Sequence, residues 1–236
     1  MVSTVIKNWD NRTWLSSKEY IQSFNKFLTT HINLNSDSRI LDIGCGRGKI
    51  LGNLSTKLKL NNKPLGIDII DHKDRDKRIS FKKIDASVFF LTNKKKFNLI
   101  LIKQTIHLLN FNEIKKLLNY SKKNLKKNGK ILIFTLDTKK NEFPTFTLMK
   151  KKLVESLRRD DKILKFISKL FSVKKKKRFI YKVKMSKKNY LEMIKKRYIS
   201  ILLDLNEKEL FKGIGQIKLK YGKNLQFRDI LNCIIL

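Results

Sequence analysis

Cysteine, proline, glycine, alanine and acidic residues are all scarce in this chain of 236 residues, and each scarcity excludes something. Two cysteines, Cys45 and Cys233, are too few for a disulfide framework or a cysteine-rich zinc site. No His/Asp/Glu cluster has ligand spacing, so no metal is expected. No apolar run approaches the ~18 residues of a membrane helix, and the N-terminus lacks a signal-peptide core. The expectation is a soluble, cytoplasmic protein without a membrane partner. At this length the chain buries roughly 70% of its unfolded surface, so it needs no staple. Its 41% hydrophobic and 10% aromatic content argues against disorder.

With 20 acidic against 55 basic residues, the net charge of +35 suggests a polyanionic partner. Composition supplies a blander cause. Lys, Asn, Ile, Phe, Tyr and Met fill half the chain, while alanine occurs once, at Ala86. Their codons are AT-rich, and those of Ala, Gly, Pro and Arg are GC-rich, so coding bias alone inflates lysine. Lysine outnumbers arginine 45 to 10, although arginine is the better bidentate phosphate ligand. Residues 1–118 carry net +12 and residues 119–236 net +23. The run Lys174-Lys175-Lys176-Lys177-Arg178 reads as a polyanion grip, a localisation signal or a solvated turn before a strand.

Short apolar runs alternate with helical periodicity. Strands are expected at Arg39–Ile43, Pro64–Ile67, Ile79–Ile84, Phe97–Ile102 and Lys130–Leu136. Helices are expected at Lys49–Leu60 and at Asn112–Leu125, the latter stopped by Asn128-Gly129. Alternation of this kind implies right-handed crossovers and a parallel sheet. After Pro144 the pattern predicts a helix over Phe146–Phe171, a strand over Phe179–Met185 and a helix over Ser186–Arg197. A further helix is opened by Asn206 and Glu209 but weakened by Gly213 and Gly215. Closing strand material lies at Leu225–Phe227 and Ile230–Ile235. No linker divides the chain.

The segment Leu41-Asp42-Ile43-Gly44-Cys45-Gly46-Arg47-Gly48 carries the chemistry. Glycines after a strand allow a tight turn and a close backbone approach to a ligand. The spacing Gly-x-Gly-x-Gly differs from the Gly-x-Gly-x-x-Gly of dinucleotide folds. Asp42 would repel a pyrophosphate and suits a cationic ligand, such as a sulfonium or an amino group. Asp68, at the tip of the second strand, can accept both hydroxyls of a ribose. Asp85, followed by small Ala86, can meet an adenine amino group. All three lie at carboxyl ends of strands, where open α/β sheets bind ligands.

These residues, with Ile40–Ile50, Gly66–Ile69, Ile84–Ala86, Leu99–Leu109 and Lys127–Phe134, resemble the class I S-adenosylmethionine-dependent methyltransferases over about residues 30–140. The resemblance implies a doubly wound, mostly parallel seven-stranded α/β sheet of Rossmann-like type. It also implies a helical N-terminal lid over 1–30, a cofactor-binding core over 31–140, and a substrate cap with closing strands over 141–236. It implies S-adenosyl-L-methionine contacts at Asp42, Gly44, Cys45, Gly46, Gly48, Asp68, Ile69, Asp85, Ala86, Lys103 and Tyr20, with S-adenosyl-L-homocysteine as product. The fourth strand would end at the substrate, placing Lys103-Gln104-Thr105-Ile106-His107 there. The Asn/Asp-Pro-Pro-aromatic motif of amine-targeting nucleic-acid enzymes is missing, and neither cysteine resembles the nucleophile of cytosine-C5 enzymes. Gln104 and His107 are the catalytic candidates. With an ordinary pKa near 6.5, His107 reads as a general base or, equally, as a histidine packed at a helix start. Trp9, Trp14, Tyr20 and Phe24 resemble an aromatic lid, and Trp14, Arg197 and Tyr198 join Gln104 and His107 as substrate contacts. His31 and His72 receive no role.

The expected activity is methyl transfer to a small-molecule O, N or S acceptor. The alternative is an RNA or protein methyltransferase whose basic C-terminal half holds a polyanion. A binding module that kept the fold without the chemistry is the third possibility.

Overall fold

The computed structural model describes residues 13–236; Trp9 lies outside them. A 3₁₀ turn, Trp14–Ser16, leads into α1 (Lys18–His31), which Ser17 caps by accepting the Tyr20 amide. The chain continues through β1 (Ile40–Ile43), α2 (Lys49–Leu58), β2 (Leu65–Asp68), β3 (Ser80–Lys83), α3 (Ala86–Thr92) and β4 (Phe97–Lys103). Next come α4 (Phe111–Lys123), β5 (Leu125–Leu136), α5 (Thr147–Leu170), β6 (Lys175–Ser186), α6 (Lys187–Lys195), α7 (Glu207–Lys220) and β7 (Asn224–Ile235).

The strands make one sheet in the order β3-β2-β1-β4-β5-β7-β6. All neighbours from β3 to β5 are parallel, and β7 runs antiparallel between β5 and β6. The central strands are apolar on both faces, and their period of two feeds two cores. Leu99, Leu101, Leu132 and Phe134 face α1, α2 and the C-terminal helices. Ile100, Ile102, Ile131 and Ile133 face α3, α4 and the second half of α5. The order places the ends of β1 and β4 side by side, which is where a doubly wound sheet opens its ligand crevice.

Several segments differ from expectation. The Asn128-Gly129 pair does not end α4; the helix stops at Asn124, and β5 begins at once. Asn128 adopts φ 67° within the strand, where the β4 register shifts between Phe97 and Leu99. The two closing strands are one 12-residue strand, β7, because its apolar residues pair along β6 from end to end. Lys175–Arg178 form the start of β6 rather than a turn. As an edge strand, β6 presents exposed lysines that discourage pairing with another sheet.

The expected capping box opens α7, with Asn206 and Glu209 capping each other's backbone amides. Its two glycines differ in surroundings. A Cβ on Gly213 would fall 2.6 Å from the Phe146 ring, so the missing side chain lets α7 close onto that ring. A Cβ on Gly215 would meet nothing within 4 Å. Gly215→Ala should therefore stabilise the protein by about 0.5–1 kcal/mol through helix propensity. Gly213→Ala should destabilise it by about 1–3 kcal/mol through overpacking. Denaturant midpoints of the two variants are expected to move in opposite directions.

Candidate active site

The crevice is built on the turn between β1 and α2. Gly44, Gly46 and Gly48 all have left-handed backbone, at φ 72°, 53° and 68°. Two of them are also tightly enclosed. A Cβ on Gly44 would lie 2.2 Å from Thr105 Oγ1, and one on Gly48 would lie 2.2 Å from Ile79 Cδ1. At Gly46 the same position is open for 4 Å, so the turn shows bare backbone to the crevice. The Gly44 and Cys45 amides donate to the Ile67 carbonyl at 2.9 and 3.1 Å, and the Gly46 amide donates to Asp68 Oδ2 at 2.8 Å. Asp68 Oδ1 takes the Ile70 amide at 3.0 Å. Each carboxylate oxygen has two lone pairs, so Asp68 can also accept from a pair of neighbouring hydroxyls.

Asp85 caps α3 through Oδ1, which accepts the Ser87 amide at 2.7 Å and the Val88 amide at 3.4 Å. Beside it a cavity of about 270 Å³ is lined by Asp85, Ala86, Ser87, Leu109, Glu113 and Leu117. Ile69 is exposed at the end of β2. Together these make a partly apolar slot with a carboxylate at its wall.

The other half of the site is a buried polar cluster. The Asp42 carboxyl is buried, and its Oδ1 has no hydrogen-bond partner. Burial pushes its pKa up to about 8, against the attraction of Lys103. The Lys103 ammonium lies 5.4 Å from the Tyr20 ring centre, 5.6 Å from that of Phe24 and 3.3 Å from Gln104 Oε1. Gln104 is left-handed at φ 52°, a strain of roughly 1–3 kcal/mol for a residue with a side chain. Its amide is held by the Phe134 carbonyl at 2.8 Å. Tyr20 is fully buried, and its hydroxyl lacks a partner. Trp14 Nε1 donates to Asp229 Oδ2 at 2.9 Å, while Asp229 Oδ1 has none. Burial raises the Asp229 pKa, and the Trp14 bond and the Lys103 charge oppose that.

The structure thus gathers Asp42, Gly44, Cys45, Gly46, Gly48 and Asp68 on one turn, and Lys103, Gln104, Tyr20 and Trp14 beside it. Cys45 Sγ fills the space over Gly66, and burial raises the thiol pKa. Two substrate contacts are corrected. The Arg197 guanidinium donates to the carbonyls of Leu202 and Leu205 at 2.6 and 2.7 Å and to Glu207 at 2.6 Å, so it braces the α6–α7 connection rather than facing a ligand. The Tyr198 hydroxyl is buried against that of Tyr190 at 3.0 Å; only its ring reaches the site, through Trp14. His107 sits in a 3₁₀ turn, Ile106–Leu108, and burial plus the Arg159 charge lower its pKa to about 4. Asp229 escaped the sequence reading, although an acid on the same strand face as Phe227 and Leu231 was a visible signal. Among the described residues no group of three His, Cys, Asp or Glu gathers as a metal site, and no helix is long and apolar enough to cross a membrane.

Comparison with known proteins places this geometry. A family profile described as a methyltransferase domain matches residues 12–169. The ribosomal RNA small subunit methyltransferase C of Buchnera aphidicola (subsp. Schizaphis graminum) is 30% identical over 127 residues, covering 49% of this chain; the match spans only 37% of that protein's length. Among solved structures, YjhP of E. coli has a TM-score of 0.56 at 14% identity, covering 97% of each chain. A SAM-dependent methyltransferase of Geobacter sulfurreducens, solved with S-adenosyl-L-homocysteine, has a TM-score of 0.52 at 16% identity, covering 93% of this chain and 90% of that one. Both structures share the fold.

Asp42 makes stability depend on pH. The unfolded carboxyl ionises near 3.9, while the folded one holds its proton to about 8. Between these values the folded state binds the extra proton, so this contribution to stability falls as pH rises and is flat above about 8. Relative to Asp42→Asn, the native protein should lose up to ~1.4 kcal/mol per pH unit across this window. Urea unfolding of both proteins between pH 5 and 8 measures the difference.

Proposed function

This chain belongs to the methyltransferase-domain family, with the class I S-adenosylmethionine-dependent fold, and we propose that it methylates a small-molecule acceptor at O, N or S. The observation that carries the cofactor's placement is the turn itself: open backbone at Gly46 between an unpartnered Asp42 oxygen and the Asp68 carboxylate. These groups fit S-adenosylmethionine, which brings a cationic methionine end and a ribose diol. Asp68 would hold the ribose hydroxyls. Asp42 would face the ammonium or sulfonium charge, and Ile69, Asp85 and Ala86 would border the adenine. When bound, the cofactor supplies a methyl group on a positively charged sulfur.

What remains for the protein is alignment and exclusion of water, and positioning alone can contribute roughly 7–11 kcal/mol. The strained Gln104 and the ring of Tyr20 hold the Lys103 side chain at the end of β4, where the acceptor would meet the methyl group. His107, with a pKa near 4, is neutral at physiological pH and a poor proton acceptor. Its role in this reading is to border the acceptor site. In this reading the described part of the N-terminal segment, residues 13–30, would serve as the lid, and the residues after 140 as the substrate cap.

A small acceptor is favoured because Trp14, Phe143 and Phe227, packed together and buried, would wall the acceptor end in this reading. The lysines of β6 lie three strands from β4, about 14 Å away at ~4.8 Å per strand. An RNA acceptor is the second reading, supported by that exposed run and by the ribosomal RNA relative.

Titration calorimetry at near-physiological salt, about 0.15 M, should show S-adenosylmethionine and S-adenosylhomocysteine binding, with Asp68→Ala weakening both at least tenfold. Undiminished binding by that variant would remove the placement. Because Asp42 is protonated near neutrality and a cation favours its ionised form, binding should release a proton and tighten as pH rises from 6 to 8. Calorimetry in buffers of different ionisation enthalpy reads that proton. Release with both ligands assigns Asp42 to the amino group, and release with S-adenosylmethionine alone assigns it to the sulfonium. Turnover should respond weakly to salt, whereas an RNA acceptor would cost several log units of affinity per tenfold salt.

A further inference from the structure

Among the described residues, Asp229 is a buried acid at the crevice that the cofactor reading does not use and the fold uses only in part. The contrast with Asp137, also at this edge, is instructive. Asp137 Oδ1 accepts the Lys139 and Lys140 amides at 2.9 and 2.8 Å, and its Oδ2, although without a hydrogen bond, has the Arg178 guanidinium as counter-charge at 2.9 Å, so it closes the end of β5. Asp229 is equally buried, at 1% exposure, yet holds only the Trp14 indole and leaves Oδ1 without a partner. Leaving a buried acceptor unsatisfied is unfavourable, and more so for a charge. Its face neighbours on β7, Phe227 and Leu231, are apolar, and a hydrophobe at 229 would continue the core. The fold uses one of its oxygens, as acceptor for the buried Trp14 indole N–H, and leaves the other unused.

Its surroundings identify what would satisfy it. The Trp14 ring packs edge-on against Phe227 at 5.1 Å and against Tyr198 at 5.4 Å, so the indole that holds Asp229 belongs to a buried aromatic cluster. The Tyr20 hydroxyl, buried and unpartnered, lies within reach of the Asp229 charge. A carboxylate among aromatic rings attracts a positively charged nitrogen, through its own charge and through the ring faces. The Lys103 charge also acts on Asp229, so a carboxylate acceptor would have to share that cation with a second anion in a water-poor site. An alcohol would have nothing basic enough to take its proton.

Resting on the methyltransferase reading above, we propose that Asp229 is the recognition and proton-accepting group for an amine acceptor, making the protein an N-methyltransferase of small amines. An ammonium group would donate to Oδ1 and lose one proton to it, which frees the nitrogen lone pair. That pair forms the bond to the methyl carbon as the carbon–sulfur pair withdraws onto sulfur, giving a methylammonium and a thioether. The proton on Asp229 leaves to water when the product departs.

The test uses the full chain loaded with S-adenosylhomocysteine, titrated calorimetrically with butylamine and benzylamine against the alcohols and carboxylates of the same skeletons. The amines should bind at least tenfold more tightly, and Asp229→Asn should abolish that preference while changing S-adenosylhomocysteine affinity less than about threefold. With methyl-labelled S-adenosylmethionine, the label should appear on nitrogen. Equal or absent amine binding by the native protein, or label on oxygen or sulfur, overturns the assignment. The native series decides this even if the variant fails to fold. Failure of the native protein to bind S-adenosylhomocysteine would instead overturn the cofactor reading, so the two failures are distinguishable.

Discussion

The bond from the Gly46 amide to Asp68 Oδ2 joins the two halves of the cofactor side of the crevice. It exists only because the backbone at Gly44, Gly46 and Gly48 is left-handed, a conformation that a residue with a Cβ adopts at a cost. Two of the three glycines also sit where Thr105 and Ile79 leave no volume for a side chain. The turn is therefore held by conformation on the inside and by packing on the outside. β1, β2 and the start of α2 take their relative positions from it, and β4 is brought against it through Thr105.

On that frame the protein keeps an unusual concentration of polar atoms away from water. Asp42, Tyr20 and Asp229 each bury an oxygen without a partner around one ammonium, Lys103. Such groups destabilise a fold on their own, and strongly perturbed acids concentrate where a protein handles ligands. The strain at Gln104 belongs to the same economy, since its left-handed backbone turns the chain from β4 into the segment facing the site. Large hydrophobic cores on both faces of the sheet offset these local penalties.

The surface charge behaves differently from the site. The lysine run lies on an exposed edge strand, where charge prevents sheet-to-sheet association, so part of +35 serves solubility whatever its origin in codon usage. The crevice, by contrast, is lined by acids as well as by Lys103.

Much of this was legible in the order of residues. Short continuous apolar runs announced the central strands β1 and β4, because strands buried on both faces must be apolar throughout. The glycine spacing and the strand-end acids Asp42, Asp68 and Asp85 marked the crevice, because such chemistry is local in sequence. The capping box of α4, at Asn110 and Glu113, went unread, but that of α7 was local too. Contacts between distant segments were not. Trp14 meets Asp229 across 215 residues, Arg197 turns inward to carbonyls of its own loop, and Phe146 decides which glycine of α7 is indispensable. Burial likewise moved His107 and Asp42 in opposite directions from their ordinary pKa values. The sequence by itself determined the sheet, the turn and the acids at the strand ends, since those follow from periodicity and backbone freedom. Only the tertiary structure decided which acids lose their water and which partners they meet, because desolvation is a property of the whole packed chain.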